Sequence, residues 1–289
     1  MAAGRIAAKA LCVSVVALGG ADLARAGEVT TFGGYKYVQH ERFIEPGTTK
    51  TISAKCPGKT HVVGGGGESG GGFGETFMSS SFPFDGGDRD SKPDDGWKVT
   101  HTGFDERREI YADAVCAHVK PVYRKHSHQV AGESSLEASL ACGGERSILH
   151  GGLRGTPSVQ PVASYPHDGG AANDAWRLTV HNVANQARTW EMHAICTDEI
   201  PVTYVSSAHD AASMTQDYGE SVCPVNAPNA IGGGLVTSPP FGLFRWSSNA
   251  FELNGATRGW YVGVESESGA GAVPYTIWAD CVPDVGSLP

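Results

Sequence analysis

Aromatic residues recur at similar positions in three parts of the chain. Phe82, Tyr165 and Trp246 lie 26, 23 and 23 residues after the first cysteine of three similar segments, and Phe244 adds a second ring beside Trp246. Their neighbours are rich in Ser, Pro and Gly, which predicts loops rather than strands. Exposed aromatic rings can stack on pyranose rings, so the pattern predicts a carbohydrate site. The alternative is that the rings fold back and plug the loops.

An acidic segment could bind a metal ion. Five carboxylates fall within residues 85–95, and four of them are the candidate ligands Asp85, Asp88, Asp90 and Asp94. Calcium takes six to eight oxygen ligands, and a flexible Asp-rich loop supplies several. The spacing does not match an EF-hand. A calcium site and a solvated turn are therefore both open.

Signals for catalysis are sparse. The chain has no HExxH motif, and its cysteines can all be assigned to disulfides once the N-terminal segment is removed. Acid pairs that assemble only on folding leave no spacing signal, so a glycosidase stays an alternative. We expect a protein that binds rather than an enzyme, and no cofactor beyond the calcium considered above.

Three internal repeats organise the chain and must position these residues. Each repeat contains a tyrosine, a cysteine 19 residues later, a glycine cluster, a tryptophan, and a second cysteine 19 to 21 residues after the tryptophan. The repeats start near Tyr37, Tyr123 and Tyr204 and cover residues 37–122, 123–203 and 204–289. We expect the glycines to mark bulges or close backbone approach and the tryptophans to fill a shared core.

The secondary structure read from the sequence is all β. Period-2 alternation appears in residues 51–56, 97–101 and 176–180, and it predicts about four strands in each repeat. A strand near 34–39 resembles the segments that follow the second cysteines, so we expect it to complete the third repeat and close a ring. The expected fold is a pseudo-threefold, β-prism-like body in a single domain, 27–289. A β-trefoil and three tandem β units are the alternatives.

The six cysteines of the repeats predict disulfides. An even number of cysteines in an exported chain is typical of disulfide pairing. Six cysteines allow 15 pairings, and the repetition favours the pairing inside each repeat. The predicted bridges are Cys56–Cys116, Cys142–Cys196 and Cys223–Cys281.

The repeat resembles two groups of proteins. The phrase Cys56-Pro57-Gly58 leading into Val62-Val63-Gly64 is similar to the repeat opening of vitelline membrane outer layer proteins, which implies a β-prism. That family's Asp/Asn-rich signature before the closing cysteine is absent here. Across residues 35–283 the chain also resembles the three-repeat Cys…GlyGlyGly…Trp…Cys proteins exported by bacteria. This second resemblance implies no activity.

The N-terminus predicts export. Arg5 and Lys9 precede an apolar run at 10–21, and Ala24-Arg25-Ala26 is a cleavage pattern, so residues 1–26 form a predicted signal peptide. The run is too short to span a bilayer, and the net charge of −9 argues against nucleic-acid binding. We expect a secreted or periplasmic bacterial protein that binds a polysaccharide or cell-surface glycan without inserting into membranes. The alternative is a structural or interaction protein of the envelope or matrix with no small ligand.

Overall fold

The structure is a computed structural model. It describes residues 27–70, 76–87, 90, 92–169, 174–237, 243–253, 257–266 and 271–287; within these, the side chains at 243–247, 251–253, 257 and 287 are not described. The predicted signal peptide, 1–26, lies outside the described residues. Within the described ranges no helix is long and apolar enough to cross a membrane.

The described residues form nineteen strands and one short 3-10 helix, Val285–Ser287. The strands are β1 Glu28–Phe32, β2 Tyr35–Ile44, β3 Thr49–Lys55, β4 His61–Ser69, β5 Thr76–Phe84, β6 Gly96–Gly103, β7 Arg108–Ala117, β8 Val122–Val130, β9 Ser134–Ala141, β10 Ser147–Arg154, β11 Val159–His167, β12 Ala175–Asn182, β13 Arg188–Thr197, β14 Thr203–Ala211, β15 Gln216–Val222, β16 Asn229–Thr237, β17 Leu243–Leu253, β18 Thr257–Ser266 and β19 Val273–Val282.

Alternation of apolar and polar residues explains many of these strands. In β12 the residues Trp176, Leu178 and Val180 are buried, and Arg177 and Thr179 between them are partly exposed. Successive side chains of a strand point to opposite faces, so such a segment covers a core with one face and meets solvent with the other. The all-β, three-unit architecture expected from the sequence is confirmed.

Each repeat contributes six strands rather than the four expected. Strands β2–β7, β8–β13 and β14–β19 form the three repeats, because the tyrosine segment and the aromatic segment are strands as well. β2 pairs with β7 of the first repeat, and β19 pairs with β14 of its own repeat. The expected closure of the third repeat by residues 34–39 is therefore wrong. Each repeat already starts with its own tyrosine strand, which leaves no gap for the N-terminal strand to fill.

Each repeat folds as a two-layer sandwich with its own core. In the first repeat, β2-β7-β4 packs on β3-β6-β5 around residues such as Ile52, Trp97, Val99 and Ile110. The other two repeats enclose corresponding cores. The predicted disulfides all form, Cys56–Cys116, Cys142–Cys196 and Cys223–Cys281, and each joins the two layers of one sandwich.

Each of the three sheets combines one layer from one repeat with one layer from another repeat. We call β4, β10 and β16, which contain the glycine clusters, the glycine strands, and β5, β11 and β17 the aromatic strands. The glycine strand of one repeat pairs with the aromatic strand of another, in the pairs β5–β10, β11–β16 and β17–β4. The resulting sheets are β1-β2-β7-β4-β17-β18-β15, β3-β6-β5-β10-β13-β8 and β14-β19-β16-β11-β12-β9. The ring of repeats therefore closes through β4 and β17, and each sheet keeps two edge strands.

The glycine clusters allow close packing where the repeats meet, as the sequence indicated. Each glycine strand has a bulge and then a glycine whose missing side chain leaves room for the indole of its own repeat, as Gly151 does for Trp176. The next glycine lies against the backbone of another repeat; a Cβ on Gly152 would overlap the carbonyl oxygen of Ser81. No residue larger than glycine fits either position without moving backbone or a buried ring.

The three repeated tryptophans lie in the core, which confirms that prediction. Trp97, Trp176 and Trp260 are at most 1% exposed. Each indole Nε1 donates to a serine hydroxyl on the aromatic strand of its own repeat, Ser81, Ser164 or Ser248, at 2.8 to 3.1 Å. A buried indole N–H requires such a partner, and the serine supplies it in all three repeats.

Candidate functional site

Three equivalent positions face outward where the repeats join. In each sheet a glycine lies between one residue of the aromatic strand and one residue of the strand that carries the second cysteine. We call these two residues the seam pair. The seam pairs are Asn249 and Asp113 across Gly66, Phe82 and His193 across Gly152, and Tyr165 and Trp278 across Gly234. They project on the face opposite the repeat cores, so the same scaffold position carries three different chemistries.

The seam between the second and third repeats is aromatic. The rings of Tyr165 and Trp278 are near parallel, with centroids 6.4 Å apart and planes 25° from each other. Both side chains are half-buried. Arg177 is directly opposite Tyr165 on β12, and its guanidinium lies 3.1 Å from Nε2 of His167. The strands therefore hold two rings and a row of hydrogen-bonding groups in fixed positions.

The seam between the first and second repeats is more closed. The ring of Phe82 stacks on His193, which is 4% exposed, with centroids 5.5 Å apart. The guanidinium of Arg154 lies 5.7 Å from the Phe82 ring, and Oε1 of Glu191 lies 2.9 Å from Nε2 of His193. Burial lowers the pKa of His193 to about 4, against the opposing effect of Glu191. His193 is thus covered, and Phe82 is half-buried.

The seam between the third and first repeats is acidic and borders a cavity of about 220 Å³. The amide of Gln39 donates to Oδ1 of Asp113 at 3.0 Å, and Oδ2 of Asp113 is shielded from solvent without a hydrogen-bond partner. Burial raises the pKa of Asp113 to about 7, with the hydrogen bond from Gln39 acting to lower it and the nearby charge of Glu68 acting to raise it. Nδ2 of Asn249 donates to Glu68 at 3.3 Å.

The predicted sugar-binding aromatics lie in strands, so the expected loop placement is wrong. Phe82 is in β5, Tyr165 in β11, and both Phe244 and Trp246 are in β17. Ser and Pro near these residues suggested loops, but Pro83 and Pro166 are themselves within strands. Phe82 and Tyr165 are equivalent, as expected. Their counterpart in the third repeat is Asn249, and the side chains of Phe244 and Trp246 lie outside the described part of the structure.

The predicted calcium ligands do not converge among the described residues. Asp85 accepts a hydrogen bond from the amide of Gly87, and Asp90 accepts one from the amide of Lys92. Asp94 is 7% exposed and lies 2.9 Å from Nδ1 of His61. Asp88 falls outside the described residues. Within the part that is described, no group of three His, Cys, Asp or Glu side chains could hold a metal ion.

The sequence did not predict the seam residues that lie on the second-cysteine strands, and in the third pair it did not predict Asn249 either. Asp113, His193 and Trp278 each precede the second cysteine of a repeat by three residues. Aligning the repeats on that cysteine would have placed the three at one position. A change of residue type at one position of the aligned repeats would then have marked a candidate site. A position that does not pack in a core can carry a different side chain in each repeat.

The chain matches no protein-family model, and no curated protein is significantly similar to it.

Proposed function

We propose that the protein is an exported, non-catalytic binding protein that recognises carbohydrate, as a polysaccharide or a cell-surface glycan, at the seam of Tyr165 and Trp278. The observation that carries the proposal is the pair of near-parallel, half-buried rings 6.4 Å apart on the outer face of a sheet. Sugar rings present apolar C–H faces that pack on aromatic rings, whose faces carry partial negative charge. Two such rings side by side suit consecutive sugars of a chain.

Polar groups beside the rings supply the directional contacts that sugars require. Arg177, His167 and Thr276 flank the pair on the same face, and Ser206 is exposed directly opposite Trp278 on β14. Guanidinium and imidazole groups bond to paired hydroxyls, and small hydroxyl side chains adapt to donor or acceptor. All of these groups project from strands, which fix their positions more firmly than loops do.

Export is part of the proposal. Three disulfides indicate an oxidising environment, and the apolar segment at 10–21 with the cleavage pattern at 24–26 supports a signal peptide. Such a location would give the seam access to extracellular polysaccharide.

The test is a glycan and cell-wall polysaccharide array probed with oxidised protein, followed by titration of the best ligand. We expect Tyr165→Ala and Trp278→Ala to weaken binding at least tenfold while the melting temperature changes little. Phe82→Ala is the matched control, since it alters the equivalent position at another seam and should leave binding unchanged.

Two results would count against the proposal. Binding that survives in both Tyr165→Ala and Trp278→Ala would place the site elsewhere. An array without any selective binding would favour the structural or interaction protein instead, and partners would then be sought by crosslinking on the cell surface.

A further inference from the structure

Arg177 places a positive charge beside the ring of Tyr165. It lies on β12 directly opposite Tyr165, and its side chain is half-buried. Directly opposite side chains of antiparallel strands start about 4.5–5.5 Å apart at their Cβ atoms. The guanidinium is therefore within reach of groups at the edge of a sugar that stacks on Tyr165.

The partner that the structure gives Arg177 is an imidazole. Nη2 of the guanidinium lies 3.1 Å from Nε2 of His167. A guanidinium can only donate, so Nε2 accepts and the imidazole is neutral in this contact; four further N–H groups of the guanidinium remain. Among the residues that the structure describes, no carboxylate forms an ion pair with Arg177. His167 thus orients the guanidinium without neutralising its charge.

The residue opposite the seam position differs in chemistry from repeat to repeat. It follows the core tryptophan in every repeat and is Lys98, Arg177 or Tyr261. Nζ of Lys98 lies 4.3 Å from the centre of the Phe84 ring, so that cation is covered by an aromatic ring of its own repeat. The second repeat is the one that combines an aromatic seam pair with an arginine at this position.

We propose that the sugar chain bound at the seam of Tyr165 and Trp278 is acidic, of the uronate class, and that Arg177 binds a carboxylate of that chain. This inference rests on the proposed carbohydrate site. The carboxylate of a uronate projects from the edge of the pyranose, so a ring stacked on Tyr165 can direct it toward β12. The planar guanidinium matches a carboxylate with two parallel hydrogen bonds, which are stronger than those to a neutral hydroxyl.

Negative charges on the protein act against a polyanion at longer range. Glu137 is opposite Thr179 on this face, Asp210 is opposite Pro274, and the chain has a net charge of −9. At physiological salt, interactions between exposed charges are largely screened beyond about 8 Å. The preference for a uronate should therefore depend on direct contact with Arg177, and binding should be measured at that ionic strength.

The test is calorimetric titration of the disulfide-bonded protein with tetramers of galacturonate, glucuronate and mannuronate. Each is compared with the neutral tetramer obtained by reducing its carboxylates to alcohols. We expect at least one uronate tetramer to bind at least tenfold more tightly than its reduced form. Arg177→Gln should lower that ratio below threefold, and Arg177→Lys, which keeps the charge but not the planar group, should restore part of it.

Lys98→Gln is the matched control, because it removes the same charge at the equivalent position of the first repeat and should leave the ratio unchanged. The reduced tetramers test the carboxylate without any substitution, so the proposal stays testable should Arg177→Gln unfold. Failure of all three uronates to bind more tightly than their reduced forms, or a preference that Arg177→Gln leaves intact, would overturn it. A neutral glycan that still requires Tyr165 and Trp278 would then leave the proposed carbohydrate site standing, whereas binding that neither ring affects would refute that site itself.

Discussion

Nδ1 of His150 lies 3.4 Å from Oδ2 of Asp280, where the three repeats meet. The equivalent residues elsewhere are Gly64 and Gly232 for the histidine, and Val115 and Ile195 for the aspartate. The imidazole ring contacts Trp97, Trp176 and Trp260, with centroids 4.9 to 5.4 Å away. One buried polar pair therefore replaces apolar groups at the centre of an otherwise threefold core.

The hydrogen bonds around His150 favour a neutral ring and a protonated Asp280. Nε2 donates to the carbonyl of Gly65 at 2.8 Å, and the amide of Gly233 donates to Nδ1 at 3.3 Å. Burial raises the pKa of Asp280 well above its usual range. The native state therefore holds a proton that the unfolded chain loses above about pH 4, so this carboxyl reduces stability as the pH rises through its native pKa.

Replacing Asp280 with asparagine should remove this pH dependence. Asp280→Asn should cost little at pH 4, because an amide N–H can still donate to Nδ1 of His150. It should become more stable than the natural protein by roughly 1.4 kcal/mol for each pH unit up to the native pKa of Asp280. Urea unfolding of both proteins from pH 4 to pH 8 measures the difference. An Asp280→Asn protein that becomes less stable relative to the natural protein as the pH rises above 4 would show instead that the pair is ionic.

The core residues that recur in every repeat were predictable from the sequence, because the same residue type appears at the same spacing three times. Trp97, Trp176 and Trp260 and the three disulfides belong to this class. The pairing of β5 with β10 was not predictable, since it joins edges of different repeats through backbone contacts that any glycine-rich strand could make. The partners of Phe82 and Tyr165 in the seam pairs were missed because their chemistry differs from repeat to repeat.

The equivalence of Trp246 to Phe82 failed for a related reason. The number of residues after the first cysteine includes the connection between the glycine strand and the aromatic strand, and the length of that connection differs between repeats. Asn249 rather than Trp246 therefore occupies the seam position. The perturbed ionisation of Asp113 comes from its burial in the folded protein, which no local pattern around residue 113 reveals.

The repeated tyrosines connect the repeats and should contribute unequally. Tyr37 donates to the carbonyl of Ala230, and Tyr123 to that of Val62. The hydroxyl of Tyr204 accepts from the amide of Ile148 and also lies 2.8 Å from Oδ2 of Asp174. We expect Tyr123→Phe to lower the unfolding free energy by about 1 kcal/mol and Tyr204→Phe by about 2 kcal/mol, because the latter also leaves Asp174 without that hydroxyl.

Denaturant unfolding of the two tyrosine variants at pH 7 checks this order. Equal losses would show that the contact between Tyr204 and Asp174 contributes nothing to stability. Tyr218→Phe is a suitable control, since that ring is 58% exposed.

Gly152 should tolerate no side chain. A Cβ there would overlap the carbonyl oxygen of Ser81 and approach the Cα of Phe82, and neither backbone atom can move without separating β5 from β10. We expect Gly152→Ala to cost about 3 kcal/mol or more, the upper end for overpacking. Gly286→Ala is the control, because among the described residues, its two chain neighbours apart, no atom lies within 4 Å of the point that its Cβ would occupy. Thermal unfolding that is unchanged in Gly152→Ala would contradict the close approach of the two repeats.

His101 should make the protein sensitive to acid. Its side chain is fully buried, and burial lowers its pKa to about 3. The unfolded chain binds a proton at this histidine below about pH 6.5, whereas the native state binds it only below about pH 3. The unfolding free energy therefore falls as the pH decreases across that interval. The loss attributable to His101 should be roughly 1.4 kcal/mol for each pH unit.

His101→Gln removes this titration while keeping a polar side chain of similar length. The variant should be less stable than the natural protein at pH 7, but the difference should shrink or reverse toward pH 4. His118→Gln, which alters an exposed histidine, is the control variant. Urea unfolding of all three proteins between pH 4 and pH 7 measures these differences in unfolding free energy. A constant offset between His101→Gln and the natural protein would mean that burial does not lower the pKa of His101.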